Sequence, residues 1–269
     1  MSAVRKVHTR RWQSNLERAQ LILGDGKLAL AQLKHDRTVE RDFTQQNISI
    51  CGKAFVADLS GALYWPAEKA LIIADLHLEK GSAFAAQGQF LPPYDTRETL
   101  RRLAAAIDRT GAKTVIALGD SFHDREGPQR MPAHDRENLR IMQEACEWIW
   151  VLGNHDPELA DWLGGYTVSE IKVEGITLRH EPRGAWTTHE IAGHLHPAAK
   201  IVREGYSLRR PCFIGNGQRL IMPAFGSYAG GLNVLDEAFD PLFGKDSFAV
   251  WMLGQEGLYP IAPRLLRGD

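Results

Sequence analysis

Five apolar runs that each end on an acid, an amide or a histidine constrain this chain more than any other feature. In "LIIADLHLEKG" four apolar residues, Leu71 to Ala74, run straight into Asp75 and His77. "VIALGD" ends on Asp120, "WVLGNHD" on Asn154 and His155, "ITLRH" on His180, and "IAGHLH" on His194 and His196. Ionisable groups at the tips of buried strands are unfavourable unless something pairs them. Ligands of open α/β sheets bind outside the carboxyl ends of the strands, so five such endings can converge on one site. Singly, each is ordinary: Gly-Asp after a strand is a common turn, and a lone histidine is usually a core or surface residue. Their joint occurrence, each after an apolar strand, points to a metal centre.

The pattern between these endings sets the fold class. "ISICG", "AFVAD" and "GALYW" read as short strands with turn residues between them, and "KALIIAD" as a buried strand. A helix follows at "DTRETLRRLAAAIDRT", with Asp95 as N-cap and Glu98 three residues on in a capping-box position. Then come the strand "KTVIALGD", the helix "AHDRENLRIMQEACE" and the strand "WIWVLGN". Alternating strand and helix imply a parallel sheet with right-handed crossovers. After residue 165 strands come without long helices: "YTVSEIKV", "GITLRH", "HEIAGH", "RLIMPAF", "GLNVLD", "SFAVWML" and "GLYPIA". The expected architecture is α/β, a two-sheet β-sandwich flanked by helices in one domain over 47–269.

The donor set suits a particular chemistry. Two divalent ions about 3.5–4 Å apart can clamp a phosphate, polarise it and lower the pKa of a bound water. A carboxylate must bridge them, and Asp120 is the candidate. Oxygen and imidazole ligands without thiolate fit manganese, iron, zinc or nickel.

These motifs, "DLH", "GD", "GNHD", a lone His after a strand and "GHLH", resemble the five motifs of the calcineurin-like metallophosphoesterase superfamily. The resemblance implies a four-layer αββα fold and two metal ions, manganese foremost. Asp75, His77, His196 and Asp120 would hold one ion, and Asp120, Asn154, His180 and His194 the other. His155 would be the catalytic non-ligand that steadies the transition state or protonates the leaving oxygen, oriented by Asp156 or Asp75. Longer blocks, "GALYWPAEKALIIADLHLEKGSAFA", "LPPYDTRETLRRL", "LGDSFHD", "LRHEP", "AGHLHPAAK" and "PAFGSYAGGLNV", resemble the bacterial ligase-associated DNA-damage-response endonucleases. That similarity implies a DNA substrate, a role in DNA repair, and DNA ligase and helicase as partners. The alternatives are the same chemistry on a small nucleotide or other phosphoester, and a non-catalytic, metal-bound adaptor of a ligase and helicase.

Composition narrows the setting. The chain of 269 residues is 44% hydrophobic with net charge −1, an ordinary globular balance without a global mark of nucleic-acid binding. Residues 1–42 hold nine Lys or Arg against five acids, leaving +4 there and −5 elsewhere. Residues 1–46 therefore read as a basic N-terminal extension and, at a chain end, as a poorly ordered one. Cys51, Cys146 and Cys212 are far apart and form no C-x-x-C pair, which fits a reducing cytoplasm. No apolar run approaches the roughly 20 residues of a membrane span, so neither a membrane nor export is expected.

Other residues near the endings have competing readings. His123 and Asp124 can hold ligands by hydrogen bonds or be loop polarity. Ser121 lacks a G-x-S-x-G elbow and is no nucleophile. Lys80, beside Glu79, can touch a phosphate or lie in solvent. Arg125, Arg130, Arg136, Arg140, Arg179 and Arg183 suggest a basic rim, with at least half expected to be ordinary surface arginines. The glycine-rich "AFGSYAGG" reads as a turn between strands and is not a P-loop.

Overall fold

Ala70, Ile72 and Ala74 pack to one side of the first ligand-bearing strand and Leu71 and Ile73 to the other, all buried, so that strand must be covered on both faces. The computed structural model describes residues 44–269 except 157, 159, 185, 186 and 245–247. Residues 1–43 of the expected basic extension lie outside the described residues.

Seven strands in chain order make the first sheet: β1 (Gln45–Ile50), β2 (Lys53–Asp58), β3 (Leu63–Trp65), β4 (Ala70–Ile73), β5 (Thr114–Leu118), β6 (Glu147–Val151) and β7 (Tyr166–Val168). β1 to β4 form an antiparallel meander and β4 to β7 run parallel, which the strand–helix alternation predicts for β4, β5 and β6 but not for β7. Between β4 and β6 lie α1 (Lys80–Ala86), α2 (Asp95–Thr110), α3 (Gly127–Arg130) and α4 (Ala133–Ala145). Leu100, Leu103 and Ala106 of α2 and Leu139 and Met142 of α4 cover one face of the sheet, meeting Leu71, Ile73, Val115 and Trp148.

The other face meets the second sheet. Its path is β15 (Leu258–Ile261), β14 (Ala249–Leu253), β12 (Tyr206–Gly215), β13 (Arg219–Ile221), β10 (Glu190–Ala192), β9 (Ile176–Arg179) and β8 (Glu170–Val173), with β11 (Ala198–Arg203) paired to β12. Phe55, Trp65, Ile72 and Leu118 from the first sheet pack on Leu178, Ile191, Phe213 and Leu220 from the second. Each such side chain contributes about 1.5–3 kcal/mol on full burial, which makes this layer the main cohesive element. The second outer layer is thin. Phe239 and the four-residue helix α5 (Asp240–Phe243), together with Leu266, cover Ile221, Val250 and Met252.

"YTVSEIKV" does not form one strand: the chain leaves the first sheet after Val168 and enters the second at Glu170. The expected strand "GLNVLD" is a turn. Asn233 Oδ1 accepts from the Leu235 amide at 3.0 Å and its Nδ2 donates to the Arg267 carbonyl, so the side chain replaces ladder bonds. Asp95 is not the N-cap of α2; Tyr94 is, and the buried Asp95 carboxylate accepts from the Gly81 amide at 2.9 Å, tying α1 to α2.

One buried ion pair braces the second sheet. Arg219 lies 2.9 Å from Glu190, both almost wholly buried, and donates to the carbonyls of Leu242, Arg183, Gly184 and Thr187. Burial pushes the Glu190 carboxyl up, opposed by Arg219, then by the Arg183 amide and by Arg179 at 3.7 Å. Arg219→Met leaves the buried Glu190 carboxylate with only the more distant Arg179 and is expected to destabilise the fold by about 3 kcal/mol, with part regained in the double variant with Glu190→Gln. Urea unfolding measures both; an unchanged midpoint for the single variant would rule out this role.

Candidate metal centre

Because β4, β5 and β6 run parallel, their carboxyl ends emerge together, and β9 and β10 end opposite them from the second sheet. Backbone bonds close the gap: the Asp75 amide donates to the Gly119 carbonyl, the His77 amide to the Asp120 carbonyl and the Gly193 amide to the His180 carbonyl. Asp75, His77, Asp120, His194 and His196 all have positive φ, between 43° and 69°, although none is glycine. Left-handed non-glycine residues are strained by about 1 kcal/mol or more each, and such clusters occur at functional sites. Close approach also excludes side chains at two glycines. A Cβ on Gly153 would lie 2.1 Å from the Asp120 amide nitrogen, and one on Gly193 2.5 Å from Asp75 Oδ2.

Among the described residues three groups could hold an ion, His77 with His123 and His155 at the open side being one, and the other two make the centre. Asp75, His77 and His196 converge in one, Asp120, His180 and His194 in the other. His77 and His196 face each other through their Nε2 atoms at 3.2 Å, with Asp75 Oδ1 3.3 Å from His196 Nε2. In the second cluster His180 Nε2 is 3.2 Å from His194 Nδ1 and 3.4 Å from Asp120 Oδ1. Asp120 spans both: its Oδ1 faces His180, and its Oδ2 lies 3.9 Å from His77 Nε2. Asp75 spans the sheets, its carboxylate accepting from the His194 amide at 2.9 Å.

The protonation chemistry fits a cation. His180 Nδ1 donates to the Leu118 carbonyl at 2.9 Å, so its proton is fixed there and Nε2 offers a lone pair. Burial, reinforced by His196 and other neighbouring positive groups, pushes the His77 pKa well below its ordinary value, and burial lowers that of His194 as well. Neutral imidazoles are the ligating form. Burial also opposes the charged form of His196, but the Asp75 carboxylate outweighs it and raises the pKa. His77 Nδ1 is buried without a hydrogen-bond partner. Buried carboxylates and imidazoles aimed at common points suit divalent ions such as manganese, iron, zinc or nickel.

The remaining expected residues divide. Asn154 is exposed and borders a cleft of about 330 Å³ together with His180. His155 stands at the open side of the centre, its side chain 46% exposed, its Nε2 3.9 Å from Asp120 Oδ2 and its amide donating to Asp120 Oδ1 at 2.9 Å. Neither Asp156 nor Asp75 orients it. His155 Nδ1 donates instead to the His123 carbonyl at 2.7 Å, and the two rings stack at 5.5 Å. The Asp156 carboxylate accepts from the Ser121 and Phe122 amides at 2.7 and 3.1 Å, which holds the loop after Asp120. Burial is the main cause of its raised pKa, about 6.

Several supports had no clear sequence signal. Glu79, left-handed and buried, accepts from Thr96 and Ser82 and anchors the turn after His77. The glycine-rich turn does more than reverse the chain: the Phe225 amide donates to the Ala74 carbonyl, Gly226 to Asp75, and Leu232 to His196, so the loop clamps two ligand-bearing segments. Asp124 pairs with Arg130 at 2.7 Å.

Two sheets that present facing His/Asp clusters at their strand ends define a metal-dependent phosphoesterase. The chain belongs to the calcineurin-like phosphoesterase family, whose model matches residues 69–212 and so spans every apolar ending from Asp75 to His196. Among solved structures, the nuclease MPE of Pseudomonas putida is 29% identical and aligns over 81% of this chain and 100% of that one, with a TM-score of 0.64. The phosphoesterase Yfce of E. coli is 15% identical, over 72% of this chain and 98% of that one, with a TM-score of 0.38. No curated protein matches the chain. Among the described residues, no helix is long and apolar enough to cross a membrane.

Metal removal has a readout independent of catalysis. Chelation is expected to lower the thermal midpoint, and manganese at about 100 times its dissociation constant to restore about 2.7 kcal/mol. Asp75→Asn should lose most of this response. A wild-type midpoint indifferent to every divalent ion would exclude the assignment of the clusters.

Proposed function

We propose that the protein is a DNA phosphodiesterase that cuts internally, holds two divalent ions, manganese foremost, and serves DNA repair beside a DNA ligase and helicase. The observation that carries the catalytic part is the Asp120 carboxylate, one oxygen directed at each cluster. In this reading Asp75, His77 and His196 hold one ion, Asn154, His180 and His194 the other, and Asp120 is shared. The ions would neutralise the phosphate and supply an activated water near neutral pH.

The chain's own residues do the rest. His155 has its Nδ1 proton committed to the His123 carbonyl, so Nε2 is the atom that gives a proton to the leaving oxygen. Asp156 keeps the Asp120 loop in place through two backbone amides. An open centre with an exposed His155 admits a polymer more readily than an enclosed pocket would, and the related Pseudomonas putida protein is a nuclease. The repair role and the ligase and helicase partners are supported by the sequence resemblance, as is a cytoplasmic location by the cysteine pattern.

Supercoiled plasmid incubated with metal-stripped protein resupplied with manganese is expected to become open circle. Intact plasmid, with hydrolysis of bis(p-nitrophenyl) phosphate retained, would replace DNA by a small phosphodiester as substrate.

A further inference from the structure

Most arginines of the expected basic rim are occupied. Arg130 pairs with Asp124, Arg140 with Glu137 and Glu144, Arg179 and Arg183 with Glu170, and Arg136 donates to two backbone carbonyls. Less committed positive charge lies on the other side of the centre, where a groove of about 430 Å³ opens beside His196.

Arg102, Arg209, Arg210, Glu98 and the loop 226–231 line this groove. Their charges are not equally available. Glu98 is gripped by Arg101 through two bonds of 2.7 and 2.8 Å, and Arg209 by Asp269 at 3.2 Å. The Arg102 guanidinium lies 4.9 Å from the Phe225 ring centroid, bonds the Phe225 carbonyl and has Glu98 Oε1 4.0 Å from its buried Nε. Arg210 is half-buried and has no hydrogen bond or ion pair among the described residues. Arg102 already has Glu98, so Arg210 is the guanidinium held partly out of water without an anionic partner, and its place in the groove marks a site for an anion.

The groove is joined to the centre. Arg210 pairs with Ala199 on β11, which lies at most about 11 Å along the chain from His196, and stands one strand spacing of about 5 Å beyond it. Arg102 reaches Ser227 Oγ at 3.4 Å, next to Gly226, whose amide bonds the Asp75 carbonyl. Arg102 is therefore tied to the loop that bonds Asp75, and Arg210 lies on the strand beside the one that follows His196.

We propose that this groove is a subsite for a polynucleotide backbone, in which Arg210 receives a phosphate next to the one being cleaved and Arg102 holds the groove wall. The inference rests on the polynucleotide reading above. A mononucleoside phosphate has no second phosphate to offer, whereas a backbone with spaced phosphates engages the metal centre and Arg210 together.

The test uses the manganese-loaded protein with a dinucleotide, a tetranucleotide and a longer oligodeoxynucleotide, beside bis(p-nitrophenyl) phosphate. For wild type, KM is expected to fall as the strand lengthens. Arg210→Gln should flatten that dependence and lower the oligonucleotide-to-aryl ratio of kcat/KM about tenfold or more, and Arg210→Glu further. The slope of log KM against log salt should weaken by about one. Length dependence and ratio unchanged in both variants would overturn the subsite while leaving the nuclease reading intact, and so would equal losses on oligonucleotide and aryl diester. Wild type inert on every oligonucleotide but active on the aryl diester would remove the nuclease reading and the subsite with it.

Discussion

Asp120→Asn is expected to lower kcat for phosphodiester hydrolysis by at least about 10³-fold, equivalent to about 4 kcal/mol of transition-state stabilisation, in a protein that still folds. The amide keeps the shape of the side chain, and the Asn Oδ1 can still accept from the His155 amide, as Asp120 does at 2.9 Å. What it removes is the charge shared between the clusters. Two dications about 4 Å apart repel strongly in a partly desolvated site, so without that charge the second ion should bind far more weakly. Metal analysis is therefore predicted to show one ion or fewer per chain where wild type holds two. Activity within tenfold of wild type would remove Asp120 from the centre of the mechanism, and full metal content with lost activity would assign its effect to the phosphate instead.

How far the sequence alone leads depends on what each residue answers to. The ligand-bearing strands are legible because β4 and β5 are buried on both faces and leave no ambiguity of period. The β11–β12 hairpin escapes notice because "REGYSLRR" at its tip is exposed on both faces and shows no alternation. Asp95 has the form of a cap, but a tertiary partner, the Gly81 amide, takes its carboxylate. The seven residues expected as ligands stand out by type at strand ends, and the six acids and histidines among them meet in two clusters. Their supports are not recognisable in this way. Asp156 acts on the Ser121 and Phe122 amides and His123 through its carbonyl, and backbone partners leave no trace in side-chain spacing. The glycine loop 226–231 is legible as a turn, yet its proximity to the Asp75 and His196 carbonyls exists only in the folded sandwich.

His155→Ala separates proton donation from phosphate binding. Its amide, not its side chain, bonds Asp120, so the alanine variant preserves that contact and removes only the imidazole. Cleavage of DNA expels a sugar alkoxide that needs a proton, whereas an aryl diester expels a phenolate stable near neutral pH. General acid catalysis contributes about 10²–10⁴-fold, so the variant should lose that much on an oligonucleotide and less than tenfold on bis(p-nitrophenyl) phosphate. Equal losses on the two substrates would make His155 a phosphate-binding or positioning group. In that case His123→Ala, which keeps the carbonyl at His155 Nδ1 but removes the stacked ring, should reproduce much of the defect. If His155 is the proton donor, the same variant should retain most of the discrimination between alkyl and aryl leaving groups, since the carbonyl that fixes the tautomer is unchanged.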